Sequence, residues 1–222
     1  MLKNLFFVSL KAFAVFGLLA NFSNANANNP WEQRFYGGLS LGGASLNTQN
    51  NLSVRSSQIS KKTNDTNVHG ELIGGYEISN QNIFLALETD IGLSSAATEE
   101  LLTLAGIQHP FTIESKNGFG FAAHIGKSID ENHRVYLKLG IEIKKFQTEL
   151  KGLNRFTDHK KSFNGIGFVP GIGIEKKLTD TVNFRTEYKV SLYSAKKLVS
   201  EHTTHTIKTV THHLTAGFYF KT

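Results

Sequence analysis

The sequence predicts an all-β fold, an eight-stranded antiparallel up-and-down transmembrane β-barrel with short turns at one end and long loops at the other. Three observations lead there. About eight segments of roughly ten residues alternate apolar and polar side chains, the connections between them alternate strictly between short and long, and an apolar leader precedes them. The 222 residues include 20 Gly and 17 Phe but only 3 Pro and no Cys. Without cysteine there is no disulfide framework, no zinc-thiolate site and no thiol nucleophile.

Residues 1–27 are predicted to be a secretory signal peptide, with Lys3 near the start, an apolar run from Leu5 to Ala20, and small residues at Ala25 and Ala27 where a signal peptidase reads. Lys11 interrupts the run, which leaves too little for a transmembrane helix of about 20 apolar residues. Removing Lys3 and Lys11 leaves 22 bases against 18 acids, a net charge of +4. Residues 28–222 then form the expected barrel domain, mildly basic and with no sign of nucleic-acid binding.

The segments follow in order. Phe35, Leu39 and Leu41 alternate with Tyr36, Gly38, Ser40 and Gly42; Val68, Leu72, Tyr76 and Ile78 oppose His69, Glu71 and Glu77; Leu85, Leu87, Ile91 and Leu93 oppose Ala86, Glu88 and Asp90. Phe119, Phe121, Ala123 and Ile125 stand against Gly118, Gly120, His124 and Gly126. The fifth segment is the clearest, with Val135, Leu137, Leu139, Ile141 and Ile143 on one face and Tyr136, Lys138, Gly140, Glu142 and Lys144 on the other. Ile166, Phe168, Ile172 and Ile174 oppose Gly167, Gly171, Gly173 and Glu175; Val182, Phe184, Tyr188 and Val190 oppose Asn183, Arg185, Glu187 and Lys189; Leu214, Ala216, Phe218 and Phe220 oppose His213, Thr215, Gly217 and Tyr219. Ile73, Phe84 and Val169 break the pattern on the polar face, and His212 breaks it on the apolar one.

Alternation alone does not distinguish a soluble sandwich from a membrane barrel. The connections do. Residues 46–67, 95–115, 146–162 and 194–206 are long, whereas 79–82, 130–133 and 178–181 are short and rich in turn formers. All long connections therefore emerge at one end, as in outer-membrane barrels, and both chain ends fall at the other, periplasmic, end.

Phe35-Tyr36-Gly37-Gly38-Leu39-Ser40-Leu41-Gly42, Gly74-Gly75-Tyr76-Glu77, Leu87-Glu88-Thr89-Asp90, Pro170-Gly171-Ile172-Gly173-Ile174-Glu175, Arg185-Thr186-Glu187-Tyr188 and Ala216-Gly217-Phe218-Tyr219-Phe220 resemble the eight-stranded outer-membrane barrel family. That family holds the opacity-like surface antigens and the transmembrane domain of outer-membrane protein A. The resemblance covers 28–222 and implies a location in the outer membrane of a Gram-negative bacterium. It also implies contact with outer-membrane lipid and lipopolysaccharide and assembly by the barrel assembly machinery; as the chain stops there, no peptidoglycan-binding domain is expected after the barrel. The family normally ends on an aromatic residue; here Lys221 and Thr222 follow Phe220.

An eight-stranded barrel is only wide enough for side chains to fill. Glu71, Glu77, Glu88, Asp90, Glu142, Glu175 and Glu187, against Arg134, Lys138, Lys144, Arg185 and Lys189, are expected to pair inside it, with His69, His124 and His213 nearby. The lumenal charge network is expected to consist of Glu71, Glu88, Asp90, Lys138, Glu142, Arg185, Glu187 and Lys189; the alternative is a narrow gated pore or proton path through the same groups. His202, His205, His212 and His213 invite a metal reading, but strand residues three apart face opposite sides, and surface-loop histidines are the simpler expectation. The His-x-Ser strand motif of barrel lipid A deacylases is missing, and the glycines around Ile166 have no helix after them to form a phosphate loop. The chain is therefore expected to be non-enzymatic, with no metal and no cofactor.

The long loops remain as the place for function. Arg55, Lys61 and Lys62 lie in the first, and Lys151, Arg155, Lys160 and Lys161 in the third, while the second is acidic with Glu99, Glu100 and Glu114. Arg55, Lys61, Lys62, Arg155, Lys160 and Lys161 are the candidates for contact with lipopolysaccharide phosphates or with host surface glycans or proteins. The expectation is a surface protein whose barrel anchors loops for adhesion or envelope interaction; a small porin-like channel is the alternative.

Overall fold

The computed structural model describes residues 31–54, 57–94, 96–104, 107–150, 159–200 and 203–222. The predicted signal peptide lies outside the described residues. Ten strands are present among them: β1 (Glu32–Val54), β2 (Ser57–Ser79), β3 (Ile83–Leu93), β4 (Ala96–Leu104), β5 (Ile107–Ser128), β6 (His133–Leu150), β7 (His159–Lys177), β8 (Val182–Tyr193), β9 (Lys196–Ser200) and β10 (Thr203–Lys221). Eight of them close an antiparallel ring, β1-β2-β3-β5-β6-β7-β8-β10, and β10 pairs back to β1 from Tyr36↔Lys221 to Val54↔Thr203. Closure leaves no edge at membrane depth, so every backbone group there has a partner without water. β4 and β9 follow β3 and β8 in the chain, the latter after a break at 194–195, and pair with the upper parts of β5 and β10.

The three short turns share one device. Asn80 Oδ1 accepts the backbone N–H groups of Asn82 and Ile83, Asp130 Oδ1 those of Asn132 and His133, and Thr179 Oγ1 those of Thr181 and Val182, at 2.8–3.3 Å. A side chain that satisfies two turn amides lets the chain reverse in four residues.

The segments expected to be long loops are largely strand. The β1–β2 ladder runs on through Leu46↔Asp65 to Val54↔Ser57, and the β6–β7 ladder through Phe146↔Phe163 to Leu150↔His159. The hydrophobic pattern reverses along them, which hides their strand character in the sequence. At membrane depth Leu137, Leu139, Ile141 and Ile143 point outward, Leu137 at 56% exposure, while Lys138 is 1% exposed inside. This outward stretch from Val135 to Ile143 is nine residues long, which matches the roughly 9 to 11 residues with which a tilted strand crosses a membrane. One step above Ile143, Lys145 and Gln147 turn outward and Phe146 inward. β1 switches between Leu41, outside, and Leu46, inside, and β10 between Leu214, outside, and Ile207, inside. β5 needs a bulge between Ser115 and Gly118 to bring Phe111 and Ile113 inward above the outward Phe119 and Phe121. The reversal is where the solvent of the outer face changes from lipid to water.

Two apolar clusters result inside the ring. One, toward the short turns, holds Tyr36, Ile73, Phe84, Ala86, Tyr136 and Tyr219. Ile73 and Phe84, which break the alternation, are thus lumenal, and Val169 is buried too. Tyr36 lies over Gly75 and Tyr136 over Gly173, positions where a Cβ would collide with the ring. The other cluster, above the membrane, holds Leu46, Phe111, Ile113, Phe146, Tyr193 and Ile207, with Phe163 against it. His212 stays on the lipid side, its Nδ1 2.8 Å from the Tyr188 hydroxyl.

Candidate functional site

Period-two alternation on eight closed strands turns one side chain in two toward a lumen too narrow for water-filled space. Glu71, Glu88, Asp90, Lys138, Glu142, Arg185, Glu187 and Lys189 all point into it and are buried. Lys138, on β6, sits at the centre with Nζ 2.9 Å from both Glu88 on β3 and Glu187 on β8. Arg185 Nη1 reaches Glu88 at 2.6 Å, and the hydroxyls of Tyr36 and Tyr136 donate to Glu88 and Glu187 at 3.0 and 2.6 Å. One level up, Lys189 pairs with Glu71 and lies 3.8 Å from Asp90. His69 Nε2 and Ser40 Oγ also meet Glu71, at 2.8 and 3.0 Å. Glu142 accepts from Ser191 and Tyr193 at 2.7 and 2.6 Å and lies 3.3 Å from Lys144.

A second layer closes the periplasmic end; its Glu77, Glu175 and Arg134 are among the charges expected to pair inside the barrel, and its Lys221 is not. Lys221 Nζ lies 2.8 Å from Glu77 and 2.6 Å from Glu175, and Arg134 Nη1 is 2.9 Å from Glu77. Arg185 extends to Glu175 at 3.4 Å, so the two layers are joined. The Arg134 guanidinium covers the Phe84 ring at 3.6 Å, and Arg185 lies over Tyr219 at 3.9 Å. The phase of β10 carries the signal for Lys221, since Tyr219 inward and Phe220 outward put it inward; read as a tail after the last aromatic, it falls outside the expected set. Thr222 is tied in just past the ladder, its N–H donating to the Phe35 carbonyl at 3.0 Å.

Each of the seven lumenal acids thus has a base within 4 Å. A void beside Asp90, Lys138, Glu142 and Lys189 measures about 10 Å³, room for at most one water. Below the Lys221 layer a vestibule of about 330 Å³ opens to the periplasm between the short turns. Above the central network the bore holds the Leu46–Phe146–Ile207 cluster together with the buried polar side chains of Thr48, Thr148 and Thr209.

Glu88, His124 and Glu187 bring potential metal-ligand atoms within 4.8 Å of one another. Both carboxylates already hold the Lys138 ammonium and a tyrosine hydroxyl, and Glu88 holds Arg185 as well. A divalent ion would sit against two fixed cations, so these residues do not fit a metal. His212 and His213 face opposite sides of β10, and His213 packs on His69 with ring centroids 4.5 Å apart inside the lumen. His202 lies outside the described residues.

Of the loop candidates, Lys61 and Lys62 are exposed on β2, Lys161 is exposed on β7, and Lys160 belongs to β7. Lys61 Nζ donates to the Leu101 carbonyl at 3.3 Å, tying β2 to β4. Arg55 and Arg155 lie outside the described residues.

Residues 12–220 match the outer membrane protein beta-barrel domain family, and the chain belongs to it. It is a β-barrel of the outer membrane of a Gram-negative bacterium. Among solved structures it is similar to a major outer membrane protein from Thermus thermophilus, at 10% identity over 86% of this chain and 100% of that one, with a TM-score of 0.54. It is similar to the outer membrane protein OprG from Pseudomonas aeruginosa, at 13% identity over 86% and 95% of the two chains, TM-score 0.53. The outer membrane protease OmpT from Escherichia coli shares the fold at 10% identity over 85% and 97%, TM-score 0.51. No curated protein sequence matches the chain. At these identities the likeness is one of fold.

Proposed function

We propose that the protein is a non-enzymatic surface protein whose barrel is a solid anchor and whose outward hairpins carry its interactions. The observation that carries this reading is the occupation of the bore by side chains: two layers of paired charge and an apolar cluster above them. A pore would need a continuous wet path, and the vestibule of about 330 Å³ ends at the Lys221 layer. Acids each held by a base are poorly placed for acid–base catalysis, which supports a non-enzymatic role.

The lipid-facing apolar band contacts outer-membrane lipid, and the exposed Lys61, Lys62 and Lys161 stand where lipopolysaccharide phosphates or host glycans and proteins would meet them. The strands themselves are the substrate of the barrel assembly machinery in this reading. The hairpin register supplies the test. Excising 49–62 after Thr48↔Thr63 and 148–161 after Gln147↔Ser162 removes all six candidate bases while leaving Leu46, Phe146 and Phe163 in place. The trimmed protein should remain heat-modifiable in detergent and lose salt-sensitive binding to a sulfated glycan such as heparin. Equal binding by the trimmed form overturns the hairpin assignment.

A further inference from the structure

Above the membrane the ring divides. On one side, β9, β10, β1 and β2 form a continuous sheet; on the other, β4, β5, β6 and β7 form a second, and the apolar cluster lies between them. The sheets meet at two seams. At the first, β2 leaves β3 at Gly70↔Leu93 and runs beside β4, where Lys61 Nζ holds the Leu101 carbonyl. At the second, β7 leaves β8 at Gly167↔Tyr193, and the last backbone bond is Ser194 N–H to the Ile166 carbonyl at 3.3 Å. Beyond it no ladder joins β7 to β9 among the described residues, so His159–Gly165 and Lys196–Ser200, which continues the line of β8, each keep one edge unpaired there.

An edge strand offers a row of backbone donors and acceptors to another chain, and proteins guard edges with charge. The guard here has one sign. Lys161 lies opposite Thr148, which is buried, and Lys196 opposite Ile207, also buried. Both lysines therefore belong to the inner face of their sheets, yet both are exposed, beside the open edges of the seam. Two residues along from Lys161 on the same face, Phe163 is half-buried and stacks on Phe146 at 5.5 Å. The lips so disfavour a basic strand and offer charge and an apolar contact to an acidic one.

We propose that the β7/β9 seam takes an extended polypeptide strand that bears carboxylates and an aromatic residue on one face, by main-chain hydrogen bonding to an open edge. Such a strand completes the ladder between the two sheets, sets its carboxylates against Lys161 and Lys196, and lays its aromatic ring on Phe163. The proposal rests on the outward placement of the hairpins and names peptide, rather than sugar, as the partner of this part of the surface.

The test uses the refolded full-length protein in detergent and a blocked, threonine-rich peptide carrying Glu, Phe and Glu at alternate positions. Its controls are the same residues in scrambled order and the same sequence with backbone N-methylation, and heparin binding is measured in parallel. The alternating peptide should bind, and N-methylation, which keeps every charge, should weaken it about tenfold or more through the lost backbone bonds. K161E/K196E should abolish binding while K127E, at the exposed short-turn end of β5, leaves it unchanged. Equal binding of the N-methylated or scrambled peptide, or no binding of the alternating one, overturns strand addition. Heparin binding with no peptide binding separates that failure from a failure of the surface-protein reading itself.

Discussion

Arg185 on β8 and Glu88 on β3 meet across the lumen at 2.6 Å, both shut off from water. The same guanidinium reaches Glu175 at 3.4 Å, so one side chain links the central network to the periplasmic layer. Removing one partner of such a pair strands the other, at a cost of about 3 to 5 kcal/mol. Arg185→Ala should therefore lower the urea midpoint of the refolded barrel. Its ion leakage should not rise, because Lys138, Lys221 and the apolar layer still fill the bore. Conductance that rises without destabilisation would mean that Arg185 gates a path.

Lys221 holds two acids, Glu77 and Glu175, from the last strand. Lys221→Met keeps the stem and deletes the charge. It should destabilise the barrel by a comparable amount, and Lys221→Arg should restore most of the loss. A neutral Lys221→Met would show that the vestibule hydrates both carboxylates.

Phe146 lies in the apolar layer above the membrane, at 1% exposure, edge-on to Tyr193 with ring centroids 5.0 Å apart. Phe146→Ala should cost about 3 to 5 kcal/mol in the same urea titration, as for a buried aromatic whose cavity cannot collapse. Lys145→Ala, one residue away on the outward side, should cost little. Similar losses at the two positions would contradict the reversal of faces.

Asp130 accepts the N–H groups of Asn132 and His133 in a periplasmic turn, and those bonds, with the His133 ring, hold its carboxyl below the usual aspartate range. Because the folded value is the lower one, the stabilisation is present above the ordinary aspartate pKa and is lost as pH falls through the folded value. Asp130→Ala should remove that acid sensitivity of the β5–β6 turn, read by amide exchange at Asn132 and His133. An unchanged pH profile in the variant would assign the sensitivity to another group.

The membrane part of the fold is legible in the sequence because lipid outside and a tight bore inside impose opposite demands on adjacent residues. Val135 to Lys144 shows that demand with no exception. The inward set follows from phase alone, including the misfits Ile73 and Phe84. Above the membrane the same phase continues but its meaning reverses. Leu46 and Phe146 thus fall in segments expected to be loops, and the bulge after Ser115 breaks the count at Phe111 and Ile113. No local signal announces such a reversal, because it depends on where the membrane ends. Lys221 escapes a reading that treats the residues after the last aromatic as a tail. The seam between β7 and β9 depends on long-range pairing that the order of residues does not express.

The filled lumen is tested most directly by single-channel recording of the refolded full-length protein in a planar bilayer. Paired charges from Glu77 to Lys189 and the hydrocarbon layer from Leu46 to Ile207 predict a trace indistinguishable from bare lipid at either polarity. Reproducible ohmic steps from the unmodified protein, scaling with salt, would contradict it.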